Sequence, residues 1–120
     1  MVDYSKICST ILGLEPQIRA VLIYHINGEL LGGGMREGID SYLPTEEITK
    51  STLNTILRWK TRELLYPFLG VGKYSLTEYE KIKRISFPLS SSTLLIVSTE
   101  TEVDHNGIIK KILQLIESKF

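Results

Sequence analysis

The order of elements around one hairpin constrains this chain most. Residues 18–26 (IRAVLIYHI) are β-branched, aromatic and apolar, and they read as a strand. Asn27-Gly28 follows. That pair predicts a type I′ turn, because both central residues of such a turn need positive φ. Residues 29–32 return as a second strand. A helix over 4–12 precedes the hairpin and a long helix over 45–66 follows it. Strands over 71–77, 82–89 and 93–99 come next, then a closing helix over 105–118. Few small folds use this α-β-β-α-β-β-β-α order.

The boundaries rest on local chemistry. Asp3 can cap the first helix, since its carboxylate can accept an orphan N–H. Tyr4, Ile7, Cys8, Ile11 and Leu12 make its apolar stripe, and Gly13 and Pro16 stop it. The first strand is apolar on both faces, with Leu22 and Ile26 on one and Val21 and Ile23 on the other. That predicts a central strand covered on both sides. Gly32-Gly33-Gly34 is expected to break the pairing, and Met35-Arg36-Glu37-Gly38 to begin a polar loop. Thr45 is the expected N-cap of the long helix, with Glu46 and Glu47 in its first turn and Pro67 at its end. The run from Thr93 to Val97 reads as another central strand, and Asp104 caps the closing helix.

The long helix carries surplus apolar surface. Ile48, Ile56, Trp59 and Tyr66 make one stripe, and Leu53, Leu57, Leu64 and Phe68 make another beside it. A helix lying on one sheet needs a stripe of only somewhat over ~100°. The second stripe therefore calls for something beyond the helix's own sheet. Tryptophan is typical of interface anchors. Which stripe faces the sheet stays open at this level.

Composition bounds the rest. A chain of 120 residues with 42% apolar and 23% charged residues reads as one domain over 1–120, able to build a core without staples. Fourteen basic residues balance fourteen acidic ones, so no global field draws nucleic acid or an anionic membrane. Neutrality also leaves self-association unopposed. Cys8 is the only cysteine, which excludes an internal disulfide. The N-terminus lacks a signal-peptide pattern and no apolar run approaches a membrane span. A soluble cytoplasmic protein is the expectation.

Each candidate for chemistry has a plainer structural reading. The glycines at 32, 33, 34 and 38 match neither a dinucleotide fingerprint nor a P-loop, because Glu37 and Ile39-Asp40 occupy the decisive positions. They read as a strand end. His25 and His105 lack metal-site or triad spacing. Cys8 lies on an apolar stripe, where cysteine behaves as a small hydrophobe. Lys81, Lys83 and Arg84 could contact phosphates, but Glu78 and Glu80 cancel their field, and the charged hairpin reads as protection of an exposed strand. No enzyme, cofactor or metal is expected. Met35, Arg36 and Glu37 are loop contact candidates, because loops carry function more often than core elements do.

Across nearly the whole chain the element order resembles the Roadblock/dynein light chain family of profilin-like α+β proteins. That resemblance implies a five-stranded antiparallel sheet with one long helix on one face and two helices on the other. It also implies a homodimer built by the long helices and the third strand, serving as an adaptor or regulator, commonly of Ras-like GTPases. Ile48, Leu53, Ile56, Leu57, Trp59 and Leu64 become the interface candidates. More narrowly, Gly33-Gly34-Met35-Arg36-Glu37-Gly38, Tyr79-Glu80-Lys81 and Phe87-Pro88-Leu89 look like segments of small proteins of ammonia-oxidising archaea. The alternative is a sensor of PAS or GAF type, with a ligand between sheet and helix gated by Gly32-Gly33-Gly34; the single long helix fits that order less well.

Overall fold

The computed structural model describes residues 2–119. The elements are α1 (Tyr4–Leu12), β1 (Ile18–His25), β2 (Leu30–Met35), α2 (Thr45–Glu63), α3 (Tyr66–Leu69), β3 (Ser75–Glu78), β4 (Lys83–Pro88), β5 (Thr93–Thr99) and α4 (His105–Lys119). The five strands form one sheet in the order β2-β1-β5-β4-β3, and every pairing is antiparallel. This is the α+β architecture that the element order predicts.

The two central strands divide the molecule into layers. Val21, Ile23, Leu95 and Val97 point to one face, where Cys8 and Ile11 of α1 and Ile108, Ile109 and Ile112 of α4 close over them. Tyr24, Leu94 and Ile96 point to the other face and pack on Ile56 and Trp59 of α2, with Leu22 and Ile26 beside them. Alternation along a strand sends successive side chains to opposite faces, so a strand apolar at every position must be covered twice. Two helices lie on one face and the long helix on the other.

The hairpin differs from the predicted turn. Gly28 has φ +95°, and among the described residues no non-glycine residue has positive φ. A type I′ turn is thereby ruled out. The His25 carbonyl accepts from the Gly28 N–H at 2.9 Å, and the Glu29 carbonyl accepts from the His25 N–H at 2.8 Å. This is a three-residue loop whose last residue takes the left-handed conformation, the other common way to close a hairpin. Asn27 serves through its side chain, accepting from the Glu29 N–H at 2.9 Å.

The glycine triplet is also a correction. Gly32, Gly33 and Gly34 pair with Ile23, Leu22 and Val21, and Met35 pairs with Ala20, so β2 continues where a break was expected. Glycine is needed here for proximity. A Cβ on Gly32 would lie 3.1 Å from the Tyr4 Cβ, so the bare strand lets α1 pack closely. Gly33 has φ +91°, and a Cβ there would fall 1.9 Å from the Val21 carbonyl oxygen.

The long helix is shorter than the 45–66 reading. Pro44, not Thr45, occupies the N-cap position, and its carbonyl accepts from the Glu47 and Ile48 N–H groups, both at 3.0 Å. The helix ends at Glu63. Pro67 does not terminate it but lies in the first turn of α3, where a missing N–H costs nothing. The third strand begins at Ser75, so residues 71–74 precede the sheet.

Gly33→Ala should destabilise the fold by roughly 2 kcal/mol or more, because positive φ and a backbone clash act together. Gly34→Ala, with nothing within 4 Å of the added Cβ, should cost far less. Urea denaturation of the two variants checks the difference.

Candidate functional site: the two flanks of the long helix

The structure decides which stripe of α2 meets the sheet. Thr52, Ile56 and Trp59 are buried, the last two at 8% and 5% exposure. Their ~100° spacing per residue puts them in one row. Ile48 is half-buried along the same row. The Trp59 indole N–H donates to Ser86 Oγ of β4 at 2.8 Å, and the Arg62 guanidinium stacks 4.7 Å above the ring. Trp59 is therefore bound within the chain, face and tip.

One flank of α2 is apolar and free. Leu53 is half exposed, Leu57 is 63% exposed and Leu64 is 73% exposed. The exposed apolar series continues with Leu65, Phe68 at 83%, Leu69 and Val71. Six interface candidates thus divide into two groups. Ile56, Trp59 and Ile48 lie on the sheet side, and Leu53, Leu57 and Leu64 lie on the open side.

The other flank overlooks the outer half of the sheet. Here α2, β3 and β4 border a half-open cavity of about 630 Å³. Arg58 and Arg62 line it from the helix; Ser75, Thr77, Arg84 and Ser86 line it from the strands. Arg84 Nη1 donates to Ser51 Oγ, and Arg62 Nη2 donates to Ser75 Oγ at 3.3 Å. Tyr42 and the hairpin residues Tyr79 and Lys81 border it. Nothing in the sequence pattern marked this cavity, because its walls come from distant segments. Gly32, Gly33 and Gly34 are not among the residues around it, so they supply no gate to it.

The loop candidates separate as well. Met35 belongs to β2, and Glu37 is exposed. Arg36 turns inward: its guanidinium donates to the carbonyls of Ile18 at 2.7 Å, Leu12 at 2.7 Å and Glu15 at 2.9 Å. It ties the end of α1 to the β1–β2 edge and leaves little for a partner.

The titratable groups do not assemble. His25 sits opposite Thr93 and Lys83 opposite Thr99, at the two ends of β5. His105 stays with Lys83, whose Nζ is 2.9 Å from its Nδ1 and also donates to the Val103 carbonyl at 3.0 Å. Lys83 and Arg84 consequently face opposite sides of the sheet and cannot share a phosphate surface. Among the described residues no three His, Cys, Asp or Glu side chains are grouped to hold a metal, and no helix is long and apolar enough to cross a membrane. Burial pushes the Cys8 thiol up to about 11. A thiol raised in the folded state loses stabilisation as pH climbs from its unfolded value of 9.0 towards 11.

Two outcomes check this placement. Native Cys8 should resist iodoacetamide at pH 8, where the thiolate is scarce, and react fully once unfolded. Trp59→Ala should cost roughly 3–5 kcal/mol of stability, as loss of a buried indole does, measured by urea denaturation.

The following solved structures share this fold and are distant in sequence. A Roadblock/LC7 domain from Streptomyces avermitilis superposes with a TM-score of 0.71 at 12% identity, covering 98% of this chain and 94% of that one. The gliding protein MglB from Thermus thermophilus gives 0.73 at 11%, over 95% and 82%. MglB of Myxococcus xanthus gives 0.70 at 13%, over 97% and 89%. Identities this low show the shared fold and no more. No curated protein matches the sequence. A family model matches residues 1–120, and the chain accordingly belongs to DUF6659, a family of unknown function with a Roadblock-like fold in this member.

Proposed function

We propose that this protein is a non-enzymatic homodimeric adaptor or regulator. One observation carries the reading: the series of large apolar side chains left in water from Leu53 to Val71. Exposed apolar patches of this kind mark interaction surfaces. A neutral chain does not repel its own copy. Along the chain the series passes from the open flank of α2 through α3; that flank is turned away from β3 and β4, and Leu53 lies beside Gly28 of the β1–β2 hairpin. The long helix is one of the two parts that the Roadblock resemblance implies for a dimer; the other, the third strand, borders the opposite flank. A two-fold contact needs only one such self-complementary patch. One MglB of this fold has a tetrameric arrangement, which is compatible with self-association here.

The partner implied by the same resemblance is a small Ras-like GTPase, bound by the dimer as a scaffold or regulator. Capture of the wild-type chain from its native cells, with a monomeric variant as control, should recover such a GTPase only with the dimer. Recovery of none removes that part of the reading.

Self-association has a sharper test. Sedimentation of the wild-type chain at micromolar concentration should show a dimer. Leu57→Arg and Leu64→Arg should give monomers whose melting temperatures stay within a few degrees of wild type, since both side chains are already in water. Trp59→Arg should instead lose the fold. A wild-type monomer, or a dimer untouched by both leucine substitutions, sinks the leucine-flank reading.

A further inference from the structure

We propose that the cavity between α2 and the β3–β4 half of the sheet binds a small polyanion through Arg58, Arg62 and Arg84. This goes beyond the adaptor reading and does not rest on it. Guanidinium groups recognise phosphate and carboxylate oxygens alike, so the ligand class is a small molecule bearing two or more such oxyanion groups.

The five arginines of the chain divide by how they are satisfied. Arg19 binds the Glu100 carboxylate at 3.1 Å and the Asp40 carbonyl at 2.8 Å. Arg36 binds three carbonyls. Each has a structural task that uses most of its fork. The remaining three line one cavity. Arg62 and Arg84 each donate to a single serine hydroxyl, and Arg58 has no hydrogen bond or ion pair among the described residues. A guanidinium carries five N–H donors, so most of the donors of these three stay free for an acceptor.

Charge and size agree. Five cationic side chains border the cavity against two carboxylates, Glu47 and Glu80, on a chain that is neutral overall. Glu47 and Lys50 pair with one another at 3.3 Å, which leaves four cations against Glu80. A volume of about 630 Å³ falls within the range of small-molecule sites, roughly 300–1,000 Å³. Arg62 is held by its stack on Trp59 and Arg84 by Ser51, so both are positioned in advance. Hydroxyls of Ser75 and Thr77 and the Asn54 amide offer neutral hydrogen bonds to the rest of a ligand.

The test is calorimetric titration of the full chain with pyrophosphate and with citrate, each at constant ionic strength. Binding of at least one is expected, and the tighter of the two identifies the source as phosphate or carboxylate. Arg58→Gln and Arg84→Gln should each weaken that binding by about tenfold, as loss of a charged hydrogen-bonding partner does. Both variants should keep the wild-type sedimentation and melting behaviour. Absence of binding by both anions overturns the proposal, and so does binding unchanged in both variants. Polyglutamate binding where pyrophosphate and citrate fail would assign the cavity to an acidic protein segment instead. If neither anion binds and the two substitutions dissociate a dimer, a second copy occupies the cavity and the proposal falls while self-association stands.

Discussion

One helix cannot cover five strands. An α-helix with its side chains is about 10 Å across and neighbouring strands lie about 4.8 Å apart, so one helix spans roughly two strands. This molecule sets its long helix over β1 and β5, the two strands that are apolar on both faces. The opposite face has α1 and α4 to share the work, and the larger core lies there. On the α2 face the outer strands are left partly bare. Evolution has two ways to finish such a surface: make it polar, or leave it apolar for a partner. This chain does one on each side of the helix. The β3–β4 half carries Ser75, Thr77, Arg84 and Ser86, while the opposite flank of the helix carries leucines.

Trp59 is where the two halves join. Its ring completes the apolar cluster of Ile56, Leu94 and Ile96, and its N–H reaches the polar strand at Ser86. An indole is suited to that position because one part is apolar and one edge donates. The stacked Arg62 then begins the basic wall. Tryptophan's frequency at interfaces made it an attractive contact residue in the sequence. In the structure both of its properties are already used, and the exposed leucines beside it are the surface left over.

Much of this was legible in the sequence, and the failures share a cause. Periodicity located the central strands and the three main helices, because burial on one or two faces writes itself directly into spacing; the edge strands β2 and β3, less buried, read from the pattern as too short and too early, respectively. The two faces of β1 and the two stripes of α2 came out of that same rule. Turn chemistry was less decisive. Asn27-Gly28 suits two hairpin geometries, and only the backbone tells them apart. Gly32 to Gly34 looked like a break because glycine has no side chain to keep the alternation going; the close approach of Tyr4, far away in sequence, is what requires it. Arg36 looked like a loop contact for the same reason, since its three acceptors lie 18 to 24 residues earlier. The cavity was invisible because Arg58 and Arg84 belong to different elements. Local pattern reports local structure, and each of these depends on what folding brings alongside.

Net charge illustrates the point with some force. A balance of fourteen against fourteen says that the molecule has no overall field to draw nucleic acid or an anionic membrane. The sum conceals where the partners are. Arg19 and Arg36 have theirs, and Lys50 and Lys60 pair with carboxylates along the helix surface. The three remaining arginines line one concave surface whose low-dielectric walls strengthen the field within it. A neutral protein can therefore hold a strongly cationic cavity at no cost to its solubility balance, provided the compensating carboxylates stand elsewhere. Binding depends on the local arrangement, and in this fold that arrangement is set by how far one helix reaches across the sheet.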